Sequence, residues 1–440
     1  MATIKDYFEQ AQLSMAAYAS LQRGMSDLSQ TTAYIAALTA QGMSDSQATE
    51  FVKRYTVVDQ FADSGNGFSA TIFSDQSGRS YFAIRGSNGD PLNPDFWKDW
   101  FSTNIGDIGG DGIAVKQGLA LFNYLQRLLT PAGQLAPQFE ILPPDNNPNT
   151  GYFGQSTASG TGLGYLANVS GLTVTGHSLG GHLAMIMSRL VPGMVISTYT
   201  YNAPGFDHFS TGLTSTGFFD SLRAAGTDDV TSAIGTGWNS GIMSHLDVTG
   251  DFVHTVGDTP GTQQIIFSER TNEGFYDAHL KEPITDSLAI YNLFATLDPV
   301  LNANPNVGMP KITDILKASS SNIYGRDGYD TSLEETLDAL RTLFQENYRL
   351  SSPFNNAVAT QIDGRDELYT KLFSLLDYLK TSALNLNQGS SVPPIYNLTI
   401  DSLTKKSTSE LITVAKSSDL AARYALHKLN PFTVTGNPSL

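Results

Sequence analysis

Apolar positions along the chain follow two registers. Compact β-rich runs at 55–61, 68–73 and 81–85 read as strands, the last two separated by a turn-forming stretch at 74–80. Residues 114–129 carry apolar side chains at i, i+3 and i+4 and stop at Pro131, which predicts a helix. Strand-like runs return at 139–142, 172–176 and 195–201, with a helical stretch at 182–191 between the last two. This alternation predicts an α/β domain built on a largely parallel sheet. Residues 1–54 read as helical. From about residue 285 helical spacing dominates, at 287–297, 332–348, 366–379 and 409–426. Thr331 and Glu334 fit a capping box ahead of the Leu333, Leu337, Leu340, Phe344 stripe. The division expected is an α/β unit over 1–300 and a mainly helical region over 301–440.

Composition narrows the chemistry. Twenty-six Lys and Arg against 42 Asp and Glu leave a net charge of −16, which repels a phosphate backbone and argues against nucleic acid as a partner. The absence of cysteine removes disulfides, thiolate catalysis and cysteine-ligated metal sites. The first twenty residues lack a basic stretch followed by an apolar run, so no cleaved signal peptide is expected. No run approaches the ~18 apolar residues of a membrane helix. No metal-binding motif is present; the acidic balance leaves room for a structural calcium ion, and no cofactor is required.

One segment stands out, Gly176-His177-Ser178-Leu179-Gly180-Gly181, with a β-rich run before it and a helical one after. Glycines on both sides let a strand turn sharply into a helix, lifting the serine hydroxyl clear of the backbone. Such a serine needs a histidine base, itself oriented by a carboxylate. Past the elbow, a strand breaks at Thr249-Gly250 and puts Asp251 at its carboxyl edge, where open sheets display functional groups; Asp258 and Asp207 rank behind it. His279 lies in a loop after the next strand and before a helix, a setting suited to a general base. His254 stands too near Asp251 in the chain, and His427 belongs to a helix face. His177 and His182 read as packing or hydrogen-bonding groups. For the oxyanion, the candidate donors are the Leu179 N–H and Ser87, in the turn Arg85-Gly86-Ser87. Phe96, Trp97, Trp100 and Phe101 follow that turn and would share one face of a short helix, either as core or as a lid over the serine. Trp238 marks a weaker covering segment.

In the order of these segments the sequence resembles the class 3 lipases. The shared pieces are the strand ending in Arg85-Gly86-Ser87, the tryptophan-bearing stretch after it, Val174 through Gly181, Tyr199-Thr200-Tyr201-Asn202-Ala203-Pro204-Gly205, and Gly250-Asp251-Phe252-Val253. The resemblance covers about residues 10–285. It implies an α/β-hydrolase fold, a Ser178–Asp251–His279 triad, and Ser87 as an oxyanion-hole residue. Val115-Lys116-Gln117 stands where the family often has a histidine, and His182 replaces a small residue. Acylglycerol is the implied substrate, met at an oil–water interface, with phospholipid (A1-type cleavage) and short-chain or polyester esters as alternatives. The segments at 285–299 and 423–432 resemble large secreted bacterial proteins, implying an extracellular enzyme and a chain that continues further. A non-enzymatic hydrolase-fold module of a larger surface protein is the competing class.

Overall fold

A computed structural model describes residues 2–63, 65–87, 108, 112–142, 152–207, 213–269, 278–319, 331–345, 362–390 and 392–436. Three helices open the chain: α1 (Ile4–Ala16), α2 (Thr31–Thr39) and α3 (Asp45–Val52). Thr3 and Asp6 form a capping box that starts α1. The central sheet takes seven strands in the order β1 (Tyr55–Phe61), β2 (Ala70–Asp75), β3 (Ser80–Ile84), β8 (Leu172–His177), β9 (Val195–Tyr201), β10 (Met243–Val248) and β11 (Thr262–Ile266). Two short ribbons, β4 (Leu135–Ala136) with β7 (Gly160–Thr161) and β5 (Phe139–Ile141) with β6 (Phe153–Gln155), lie outside it. β2 pairs antiparallel with β1 and β3, and every pairing from β3 to β11 is parallel.

Parallel strands need both faces covered, and the side chains alternate accordingly. Phe82 and Ile84 of β3 with Leu172 and Val174 of β8 face the cluster that holds α4 (Val115–Leu129) and α5 (Leu179–Leu190). Helix α4 is the amphipathic run predicted at 114–129. Every residue of α5 is buried, and its Leu, Ala and Met content favours helix until Pro192. On the opposite face Tyr199, Tyr201, Leu246 and Val248 pack with α1 and α8 (Lys281–Leu297). Tyr201 Oη donates to the Tyr7 carbonyl (2.5 Å) and Thr175 Oγ1 to that of Gln10 (3.1 Å), locking α1 across the strands. The sheet order, the parallel crossovers and the serine-bearing turn between β8 and α5 make this an α/β-hydrolase fold.

The apolar cluster around α8 continues without a break into α10 (Pro305–Ser319), α11 (Ser332–Phe344), α12 (Ile362–Thr381) and the antiparallel ribbon of β12 (Leu398–Ser402) and β13 (Phe432–Gly436). Shorter helices are α6 (Ser215–Ala225), α7 (Asp229–Ala233) and α9 (Pro299–Ala303), with α13 (Thr408–Lys416) and α14 (Leu420–Lys428) near the end. Two local expectations are corrected. Residues 409–426 form two helices rather than one, because Asp419 caps a new start by accepting the Ala422 N–H. Thr331 makes no capping bond to α11; its hydroxyl reaches Glu335 Oε1 (3.4 Å), while Glu334 is buried in contact with Glu269. Tertiary packing of Glu334 overrides the local motif.

A buried ion pair ties the C-terminal helices to the front of the molecule. Arg365 of α12 donates to both carboxylate oxygens of Asp286 on α8 (2.6 and 2.8 Å) and to the Gly42 carbonyl. Removing one partner leaves an uncompensated buried charge. Arg365→Met is expected to lower the unfolding free energy by about 3–5 kcal/mol, and Asp286→Leu with Arg365→Met by less than that single change. Equilibrium denaturation of the two variants checks this.

Candidate active site

The site lies at the carboxyl ends of the parallel strands, where open α/β sheets display functional groups. Ser178 follows β8 with φ 57° and ψ −131°, a conformation that costs a non-glycine residue about 1–3 kcal/mol. The turn survives because its neighbours lack side chains. A β-carbon on Gly176 would come within 2.6 Å of Gly181 N, and one on Gly181 within 2.5 Å of Ala203 Cβ. One on Gly180 would overlap the Ile84 carbonyl and sit 2.8 Å from the Arg85 carbonyl carbon.

Ser178 Oγ stands 2.9 Å from His279 Nε2, and His279 Nδ1 stands 3.1 Å from Asp251 Oδ1. The three side chains come from different loops and all are buried. The ionised carboxylate only accepts, so Nδ1–H donates to it and Nε2 faces the Ser178 hydroxyl. Asp251 follows β10 through Gly250, whose φ of +95° supplies the sharp turn. Its Oδ1 also accepts the Val253 N–H (3.2 Å).

The two oxyanion candidates flank Ser178. The N–H groups of Gly181 and His182 turn back to the Ser178 carbonyl. Leu179 is the first residue of α5, where an N–H has no acceptor within the helix. On the other side, a β-carbon on Gly86 would lie 2.6 Å from the His177 carbonyl and 3.2 Å from Ser178 Cβ. The Arg85-Gly86-Ser87 turn is therefore pressed against the elbow, with Ser87 half-buried beside it. Arg85 anchors this turn through Asp63 Oδ2 (2.8 Å).

The chain is similar to several solved lipases at low identity. Lip2 lipase from Yarrowia lipolytica is 15% identical, aligned over 60% of this chain and 78% of that one, with a TM-score of 0.28. A triacylglycerol lipase from Penicillium expansum is 12% identical over 63% and 88%, with a TM-score of 0.30. A lipase from Rhizopus microsporus var. chinensis is 15% identical over 60% and 76%, with a TM-score of 0.29. No family model matches the chain, and no curated protein does. Likeness at this distance carries no argument about chemistry.

Two neighbours, Tyr18 and Asp63, give no sign in the sequence of the contacts they make. His177 Nε2 donates to the His279 carbonyl (2.7 Å), and its Nδ1 accepts from Tyr18 Oη (3.0 Å). Burial pulls the His177 imidazole down to about 3, and His279 beside it adds to the effect, so it stays neutral and serves as a fixed strut. Nothing local in the sequence around Tyr18 or Asp63 announces these contacts, which span more than twenty residues of chain in each case. His254 Nδ1 sits 3.9 Å from Asp251 Oδ2, too far for a hydrogen bond, and the carboxylate raises its imidazole pKa. His427 is exposed on α14, and His182 is buried, holding the Ala114 N–H (3.2 Å). Trp238 packs on Phe206 and Phe219 under Arg189 within the α5-side cluster. Phe96, Trp97, Trp100 and Phe101 lie outside the described residues. Among the described residues no three His, Asp or Glu side chains are grouped to hold a metal ion, and no helix is long and apolar enough to cross a membrane.

Two carboxylates, Asp247 within β10 and Asp251 just past it, behave oppositely. Burial pushes Asp251 up, but His279, His254 and the Val253 N–H outweigh it and hold it well below the usual range. Asp247, inside β10 and matched chiefly by Gln263 (2.7 Å), is pushed by burial to about 6. A carboxyl raised in the fold favours folding in acid and opposes it once both states are ionised. The penalty from Asp247 is thus absent below the ordinary value of 3.8 and complete above about 6. Asp247→Asn is expected to raise the unfolding free energy by about 2 kcal/mol near pH ~8 and to change nothing near pH ~3, read from denaturation curves at both.

Proposed function

We propose that the protein is a serine hydrolase of carboxylic esters that works through an acyl-enzyme on Ser178. The observation that carries this reading is the unbroken chain from Ser178 Oγ to His279 Nε2 (2.9 Å) and from His279 Nδ1 to Asp251 Oδ1 (3.1 Å), set on a strained strand-to-helix turn. A structural hydroxyl has no need of a positive φ or of an imidazole nitrogen aimed at it.

In the proposed reaction the serine proton passes to His279 Nε2 as Oγ bonds to the ester carbonyl carbon. The carbonyl electrons move onto the oxygen, and the N–H groups of Leu179 and Ser87 receive that charge. Asp251 holds the imidazole in the accepting tautomer and stabilises the imidazolium that forms. The imidazolium then protonates the departing alkoxide, leaving an acyl-serine. Water repeats the sequence, giving up its proton to His279 and releasing the acid.

Acylglycerol is the proposed substrate class, supported by the resemblance of the ordered sequence motifs to class 3 lipases. Ser178→Ala is expected to lower hydrolysis of a chromogenic acyl ester by about 10⁴-fold or more with the thermal midpoint little changed. An alkylphosphonate should label the parent chain at Ser178 and leave Ser178→Ala unlabelled. Parental turnover in Ser178→Ala refutes the assignment, and absence of labelling favours a non-enzymatic module. Rates across triglyceride, phosphatidylcholine and short-chain esters decide the substrate class.

A further inference from the structure

Asn202 closes β9 in a way the reaction above does not use. It is fully buried and holds a left-handed backbone, φ 46°, a conformation that asparagine tolerates better than most residues. Its N–H and both ends of its carboxamide have partners at the site. Its N–H donates to the Leu246 carbonyl (3.1 Å), and its Oδ1 accepts the Val248 N–H (3.0 Å). Its Nδ2 donates to the Ala278 carbonyl (2.8 Å). Val248 is the last residue of β10, from which the chain turns to Asp251; Ala278 immediately precedes His279. One planar carboxamide therefore spans the two segments that carry the carboxylate and the imidazole. The next carbonyl, that of His279, is held by His177. The loop is gripped on both sides of the base, and only the Asn202 grip also touches the Asp251 segment.

We propose that Asn202 is a positioning residue whose side chain fixes the spacing between the Asp251 turn and the His279 backbone. This rests on the reading of Ser178, His279 and Asp251 as the catalytic group. The carboxamide is suited to the task because it offers one acceptor and one donor at fixed separation. A carboxylate supplies no donor to the Ala278 carbonyl. Glycine satisfies the left-handed backbone and spans nothing, so it separates a positioning role from that of a turn former.

The test uses Asn202→Gly and Asn202→Asp in the full chain, with kcat expressed per active site titrated by a phosphonate. Asn202→Gly is expected to lower kcat on the order of 100-fold while KM stays within about twofold. Asn202→Asp should show a similar loss near pH ~8 that shrinks relative to the parent towards pH ~5, as the new carboxyl gains a proton and can donate to Ala278. Independently of turnover, the far-downfield proton resonance of His279 Nδ1–H should shift or broaden when Asn202→Gly is placed in a Ser178→Ala background. Parental kcat per site in Asn202→Gly, or an unshifted resonance in that background, overturns the proposal. If Asn202→Asp does not fold, the glycine variant decides alone, since it adopts this backbone without strain. Persistent activity in Ser178→Ala instead defeats the catalytic reading itself, a separate outcome.

Discussion

Backbone lying directly on backbone is the constraint from which the site follows. At Gly176 and Gly180 the room for a side chain is already occupied by main-chain atoms, and at Gly86 by the Tyr18 hydroxyl and the His177 carbonyl. A methyl group at Gly180 forces the end of β3 away from the start of α5, one at Gly176 forces the end of β8 away from it, and one at Gly86 forces its turn away from His177 and Tyr18. These close approaches place the Arg85-Gly86-Ser87 turn beside Ser178 and the elbow. The strained serine is tolerated because α5 is buried along its whole length between sheet and α4, so the elbow cannot relax without moving the core.

Electrostatics at the site are decided by counting donors rather than by depth. Asp247 and Asp251 are both buried, on the same short stretch of chain, yet their pKa values move in opposite directions. Asp251 gathers a backbone N–H and an imidazole N–H on one oxygen and leaves the other towards His254. Asp247 has a neutral amide. A carboxylate that must stay ionised to orient a histidine is thus held so by its partners against a desolvation that acts on both alike.

Much of this architecture was legible in the sequence because its signals are local. The β-rich runs at 55–61 and 195–201 coincide with β1 and β9, and the break at Thr249-Gly250 marks where β10 ends and Asp251 turns out. The elbow carries its own explanation in its glycines. What stayed hidden depends on distant partners. Nothing near Tyr18 says that it will meet His177, and nothing near Asp63 points to Arg85. Asn202 gives no such sign in the sequence, because its bonds to Val248 and Ala278 exist only once β9, β10 and the segment before His279 are brought together. Thr331 and Glu334 show the converse: a well-formed local motif gave way when Glu334 was drawn into the interior beside Glu269.

The apolar layer beneath β9, β10 and β11 is completed by side chains from as far along as Tyr396, Ile400 and Phe432. Much of the apolar layer packed on the outer side of α8 and on β11 is thus built from the last third of the polypeptide. A version of this chain shortened to its hydrolase-like portion would present the oily side of α8 to water. Recombination that exchanges the two portions between relatives would have to rebuild that seam residue by residue, so they are constrained to change together.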